Sequence, residues 1–159
     1  MENQLIIRKA YPADAPHIAA LLAGYAERGV LLPRSCEEIL ESIRDFFVAD
    51  ATADAAPRII ACSSLRIYDA LLAEVRSIAV EPSTVRSGLG KQLLAACEED
   101  ARAYGIEKVF ALTYVPEFFE RSGYTRLPKE ALPQKIWRDC FRCKNFPNCT
   151  EIAVIKSMR

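Results

Sequence analysis

The stretch Ala73-Glu-Val-Arg-Ser-Ile-Ala-Val-Glu-Pro-Ser-Thr-Val-Arg-Ser-Gly-Leu-Gly-Lys-Gln-Leu-Leu94 constrains the fold of this chain more than any other. An apolar strand carrying one acid passes through a turn and a glycine pair into an amphipathic helix. A helix entered through glycines presents unpaired backbone N–H groups at the positive end of its dipole, which makes an anion cradle. An acid just upstream on the strand could take a proton from a group bound beside that anion.

With 159 residues the chain suffices for one domain with one core, and a single domain over 1–159 is the expectation. Lys plus Arg equals Asp plus Glu, 21 each, so no basic excess points to nucleic acid or to an anionic membrane. Met1-Glu-Asn-Gln does not resemble a secretory signal, and no apolar run is long enough to span a bilayer, so a cytoplasmic protein is expected. Six cysteines in that setting read as free thiols or metal ligands rather than disulfides.

Leu5–Lys9 reads as a strand. Pro12 and Asp14 open a helix with Asp14 as its N-cap, and Ile18, Leu21, Leu22 and Tyr25 recur on its buried side until Gly29 stops it. His17, the sole histidine, lies beside these apolar positions and is read as structural. Gly29–Ser35 is a loop. Ser35 and Glu38 form a capping box that starts a second helix with Ile39, Ile43 and Phe46 on its buried side. Arg34, at that junction, is either a solvated surface arginine or a carboxylate clamp.

Residues 50–57 read as a hairpin tip, followed by strands over Arg58–Leu65 and Leu71–Val80. Arg66 closes the first of these. In the second, alternation puts Leu72, Glu74, Arg76, Ile78 and Val80 on one face, so that Glu74 and Arg76 either pair across a sheet or line a cleft. A helix from Gly88 to about Tyr104 carries Leu89, Leu93, Cys97, Ala101 and Tyr104 on one stripe, with Gly105 as its stop. Val109–Thr113 is a buried strand, Pro116 starts a short helix ended by Gly123, and strands follow near Tyr124–Leu127 and Glu151–Lys156. The order βααβββαβα and two further strands is a mixed α+β fold without repeats or a dividing linker.

Cys140, Cys143 and Cys149, in a segment at about 135–150, have C-x₂-C-x₅-C spacing. They are candidate zinc ligands lacking an obvious fourth partner, a reversible disulfide, or free thiols. Asp139, Cys36 or Cys62 would complete a site only if the fold brought one of them near.

Taken together, the acid-bearing strand, Arg86-Ser-Gly-Leu-Gly90 opening a helix, the strand ending Leu112-Thr113, and Phe118-Phe-Glu-Arg-Ser-Gly-Tyr124 resemble the GCN5-related N-acetyltransferase (GNAT) superfamily. The resemblance implies the GNAT fold, a mixed central sheet flanked by helices, with acetyl-CoA bound by Ile78, Ala79, Val80, Val85, Arg86, Ser87, Gly88, Leu89, Gly90, Lys91 and Phe118. Two positions depart from the family pattern. Val85 stands where Gln or Arg is usual, with Arg86 one place later, and Phe119 stands where many members carry a proton-donating tyrosine. Gly29-Val-Leu-Leu-Pro-Arg-Ser35 and Ala73–Pro82 are further similar to the acetyltransferase domain of N-acetylglutamate synthases, without the arginine-sensing kinase-like domain of longer members.

That resemblance implies transfer of acetyl from acetyl-CoA to the α-amine of L-glutamate, the first step of arginine biosynthesis. Glu74 is the implied general base, with a structural ion pair to Arg76 or Arg66 as its alternative, and Ser77 the implied oxyanion donor. Arg34, Arg66 and, less directly, Arg76 are the implied carboxylate ligands. Other readings are another amino acid or small amine as acceptor, or a non-catalytic acyl-CoA-binding or metal-sensing module. Homodimerisation is compatible with all of them.

Overall fold

The computed structural model describes residues 5–28, 34–51, 57–84, 88–133 and 151–159. Among them the strands are Ile6–Lys9 (β1), Phe46–Asp50 (β2), Ile59–Ile67 (β3), Leu72–Val80 (β4), Lys108–Thr113 (β5), Thr125–Leu127 (β6) and Ile152–Ser157 (β7). They form one mixed sheet in the order β1-β2-β3-β4-β5-β7-β6, in which β4 and β5 run parallel and the other neighbours antiparallel. The helices are Ala15–Glu27 (α1), Cys36–Glu41 (α2), Leu89–Ala103 (α3) and Pro116–Glu120 (α4). Ile18, Leu22 and Ile39 of α1 and α2 pack on one face of the sheet, against Phe46, Val48, Cys62 and Ala79. Leu94, Cys97 and Ala101 of α3, with Phe119 of α4, pack on the other, against Leu65, Ala73, Val75, Val109 and Val154.

Helix α3 shows why the glycine-flanked segment folds as expected. Gly88 caps it at φ +83°, in the left-handed region where a side chain is strained. At the other end Gly105 N–H bonds Arg102 C=O (3.0 Å) and Ile106 N–H bonds Ala101 C=O (2.9 Å), a Schellman closure with Gly105 at φ +76°. That closure folds Ile106 into the core and leaves Tyr104 exposed, contrary to its expected place on the buried stripe.

The N-terminal half departs from expectation in three places. Asp14 holds the N-cap position of α1, but its side chain makes no capping bond to that helix. Its carboxylate accepts from Tyr11 N–H (2.7 Å) and from both terminal nitrogens of Arg8 (2.8 and 3.0 Å), closing a 3-10 turn at Pro12–Asp14 ahead of the helix. His17 is exposed, because the buried side of α1 passes through Ala15, Ile18 and Leu22. Helix α2 starts as expected, with Ser35 Oγ accepting from Glu38 N–H (3.1 Å), but ends at Glu41. Ile43 then lies in a 3-10 turn and Phe46 in β2, whose pairing with β3 forms the expected hairpin. The tip residues 52–56 lie outside the described residues, as does Gly29.

Candidate active site

Strands β4 and β5 part in the middle of the sheet. Their pairing covers Leu72↔Lys108, Ala73↔Val109 and Glu74↔Phe110 and stops there, although β4 continues to Val80 and β5 to Thr113. Backbone groups along the parted edges can therefore serve a bound chain instead of each other. Glu74 stands at the apex of the opening.

Three residues beyond Glu74, β4 carries a bulge. Ser64 pairs with Arg76 and Cys62 with Ala79, so Ser77 and Ile78 together oppose Ser63, and Ser77 adopts φ +55°. The extra residue reverses the alternation of everything after it. Glu74 and Arg76 stay on the α1–α2 face, but Ile78 packs with the α3-side cluster and Val80 against Leu89 and Leu93, while Ala79 joins the α1 cluster. The expected single face of Leu72, Glu74, Arg76, Ile78 and Val80 is thus divided at Ser77. The Cys62 thiol, buried and pushed up to about 12 by loss of hydration, donates to Ser77 C=O at 3.4 Å across the bulge.

On the α1–α2 face the charged residues converge. Glu74 and Arg66 are cross-strand partners, and Arg76 Nε lies 3.7 Å from Glu74 Oε1. Tyr68 Oη donates to the same Oε1 at 2.8 Å. Glu74 is 7% exposed. Burial raises its carboxyl above the ordinary range, against the pull of Arg76, the Tyr68 hydrogen bond and Arg66. Asp45, at the mouth of β2, is likewise raised by burial, and is opposed by the fields of Lys9, Arg66, Arg76 and Arg34. All three arginines singled out from the sequence therefore lie within electrostatic reach of one half-buried acid. Arg34 itself has its Nε buried.

Neither Tyr68 nor Asp45 was marked by the sequence. Tyr68 could have been found by extending the hairpin register, which sets Arg66 against Glu74 and returns Tyr68 over the turn; a lone Asp after a helix carries no such signal.

The cradle lies on the other side of the bulge. The first helical bond of α3 runs from Gln92 N–H to Gly88 C=O (3.1 Å), so the N–H groups of Leu89, Gly90 and Lys91 have no acceptor within the helix. A Cβ on Gly90 would lie 3.2 Å from the Phe118 ring, which brings the first turn of α3 and α4 into close contact. Leu89 is buried and Lys91 exposed. The buried side chains of Leu89 and Ala79 belong to the core, so either residue can offer a ligand only its backbone. Tyr25 Oη donates to Val80 C=O at 2.7 Å and accepts from Val80 N–H at 3.4 Å, so a ligand strand pairing at Val80 must share these groups with a phenol. Parted strands leading to helical N–H groups without an acceptor in the helix fit an extended ligand that carries an anionic group.

Val85, Arg86 and Ser87 lie outside the described residues, as do Cys140, Cys143 and Cys149. Among the described residues no group of three or more His, Cys, Asp or Glu could hold a metal, and Cys36 and Cys62, weighed as recruits, are free thiols. No described helix is long and apolar enough to cross a membrane. Phe119, in the position where a tyrosine acid was expected to be missing, is buried edge-to-face between Phe118 and Tyr124 at centroid distances of 5.1 and 5.3 Å.

Residues 18–124 match the acetyltransferase (GNAT) family. An uncharacterized N-acetyltransferase of Chlorobaculum tepidum is 42% identical over 152 residues, 96% of each chain. The amino-acid acetyltransferase of Mycobacterium tuberculosis is 28% identical over 137 residues, 86% of this chain and 78% of the relative. That of Neisseria meningitidis serogroup A is 33% identical over 135 residues, 84% of this chain but only 30% of the longer relative. Among solved structures, N-acetylglutamate synthase from Neisseria gonorrhoeae, complexed with coenzyme A and N-acetyl-glutamate, superposes with a TM-score of 0.84 at 28% identity, covering 100% of this chain and 36% of that one. With the family match over residues 18–124 and a relative 42% identical across 96% of each chain, the chain belongs to the GNAT acetyltransferase family.

Proposed function

We propose that this acetyltransferase moves the acetyl group of acetyl-CoA to the α-amine of an amino acid, with L-glutamate as the acceptor, and so contributes to arginine biosynthesis in the cytoplasm. The observation that carries the acceptor reading is the convergence of Arg34, Arg66 and Arg76 about Asp45, with Arg66 and Arg76 also facing Glu74. Guanidinium groups recognise carboxylates through paired N–H donors, and an acceptor with two carboxylates calls for several of them. The names of the amino-acid acetyltransferase relatives support an amino acid as the acceptor.

Acetyl-CoA supplies an acyl carbon joined to a thiolate leaving group. The N–H groups of Leu89, Gly90 and Lys91 cradle its pyrophosphate, and the parted edge of β4 from Ile78 to Val80 aligns its chain. Glu74 Oε2 accepts a proton from the acceptor's ammonium, directly or through water, freeing the amine to attack. The amine adds to the acyl carbon, forming the C–N bond and placing negative charge on the carbonyl oxygen; the C–S bond then breaks as the carbonyl reforms, and the extra proton on the new amide nitrogen passes to the departing thiolate. Ser77 N–H, turned by the bulge, steadies negative charge on the carbonyl oxygen. Burial places Glu74 nearer the working pH than an exposed carboxylate would be.

Asp45 supports a second reading, an acceptor with a neutral side chain such as L-glutamine, because it offsets one positive charge of the arginine group. Release of free CoA thiol with glutamate, glutamine, aspartate and simple amines separates these readings. Highest kcat/KM with glutamate is the expected result; preference for glutamine overturns the dicarboxylate assignment, and tight CoA binding without thiol release from any acceptor overturns catalysis.

A further inference from the structure

We propose that Tyr68 is a positioning residue of the acetyl transfer: its hydroxyl pins Oε1 of Glu74 and leaves Oε2 as the oxygen that receives the amine's proton. The inference rests on Glu74 being the base. Among the described residues both partners of the Glu74 carboxylate fall on the same oxygen, Tyr68 Oη at 2.8 Å and Arg76 Nε at 3.7 Å. A carboxylate whose one oxygen accepts a hydrogen bond, with the nearest guanidinium drawn to that same oxygen, has its other oxygen left to react.

The tyrosine is itself fixed. It closes the β3–β4 hairpin, where Tyr68 N–H bonds Leu72 C=O at 2.9 Å, and Asp69 Oδ1 accepts from Leu71 N–H (2.8 Å) and Leu72 N–H (2.9 Å), locking the turn. Its ring contacts the Arg66 guanidinium, 5.0 Å from the ring centre, and Phe110, 5.8 Å away. Phe110 is the β5 residue paired with Glu74 at the apex of the opening. The phenol therefore approaches the carboxylate from a rigid turn, on the side away from the parted strands.

The charges facing Glu74 are Arg76 on its own strand, Arg66 on β3, Tyr68 on the hairpin and Glu151 ahead of β7. Burial and the charge of Glu74 hold the phenol above its ordinary range, so across neutral pH it remains a donor. A donor to the ionised carboxylate favours ionisation, and its loss makes Glu74 harder to ionise.

The test compares the pH dependence of kcat/KM for the acceptor in wild type, Tyr68→Phe and Glu74→Gln, with free thiol as the readout. Tyr68→Phe keeps the ring and removes the donor. The acid limb is expected to move up by about one pH unit, with about tenfold loss below the limb, less above it, and an unchanged KM for acetyl-CoA. The same rise, read as the Glu74 carboxyl ¹³C titration midpoint and assigned by its absence in Glu74→Gln, requires no turnover. If Tyr68→Phe does not fold, wild-type chain made with 3-fluorotyrosine, a stronger donor, should move the limb down. An unmoved midpoint, or a loss uniform in pH, overturns the positioning role. Full turnover by Glu74→Gln overturns the base assignment beneath it, an outcome distinct from a failure of Tyr68 alone.

Discussion

Gly90 and Phe118 meet so closely that a single added methyl, 3.2 Å from the ring edge, would displace the phenylalanine. Gly90 lies in the first turn of α3, and Phe118 is only half-buried on α4, so the ring can give way by a few tenths of an ångström. Gly90→Ala gains about 1 kcal/mol of helix propensity, which offsets the packing cost. Its melting temperature should remain within about 3 °C of wild type. The shifted ring should instead raise the KM for acetyl-CoA several-fold with little change in kcat. Unchanged KM would detach Phe118 from the cosubstrate.

Glu74 is buried and its carboxyl is raised, first by loss of hydration. In the proposed role of base Glu74 works only when ionised, so activity should be present above the folded-state pKa and lost as pH falls through it. The acid limb of kcat/KM should therefore lie above the 4.5 of an unperturbed carboxyl, with about tenfold loss per pH unit below it. Glu74→Gln should lower kcat by about 10²- to 10⁴-fold and abolish the limb, leaving acetyl-CoA affinity as in wild type by equilibrium binding. A retained limb in that variant would assign the titration to another group.

The parts of this site visible in the sequence were those specified over short distances. Strand alternation marked Glu74 and Arg76, and the glycines at 88, 90 and 105 announced a helix with both ends defined. The bulge left no local trace, because Ser77 takes a left-handed conformation that nothing in its residue type requires, and the register across β3 decides it. Every assignment after Ser77 on that strand was therefore turned to the wrong face. Tyr104 and Phe46 failed for a related reason, since each continues an apolar period past the point where backbone hydrogen bonding ends the helix. Arg34, Arg66 and Arg76 were named one at a time. Their meeting beside Asp45 depends on tertiary packing of α2 and the 3-10 turn against the sheet.

The arginines can be tested against one another through the acceptor. Arg34→Gln retains a polar side chain without the charge, and should raise the KM for glutamate about 10- to 100-fold if it engages a carboxylate. Arg66→Lys retains the charge but loses the planar fork that lies over Tyr68, and should be almost as costly. Repeating both with glutamine identifies the arginine that reads the side-chain carboxylate, since that variant alone should lose its penalty. Equal effects on all acceptors would place both at the α-carboxylate.

Asp14 is 1% exposed, yet it is ionised, accepting from Arg8 and from Tyr11 N–H, while Arg8 also reaches Asp50 at 3.2 Å. Burial alone would raise its carboxyl, but the Arg8 and Tyr11 hydrogen bonds outweigh it and hold the group below its ordinary range. A folded-state pKa below the unfolded one contributes stability that is present above the unfolded pKa and lost as pH falls through the folded one. Asp14→Asn leaves the Arg8 charge without its main partner and should cost about 3 kcal/mol at pH 7 in urea unfolding. Because wild type loses this same interaction in acid, the gap between the two proteins should narrow progressively below about pH 4. A gap that held constant down to pH 2 would show that the carboxylate's shape, rather than its charge, supports the first turn.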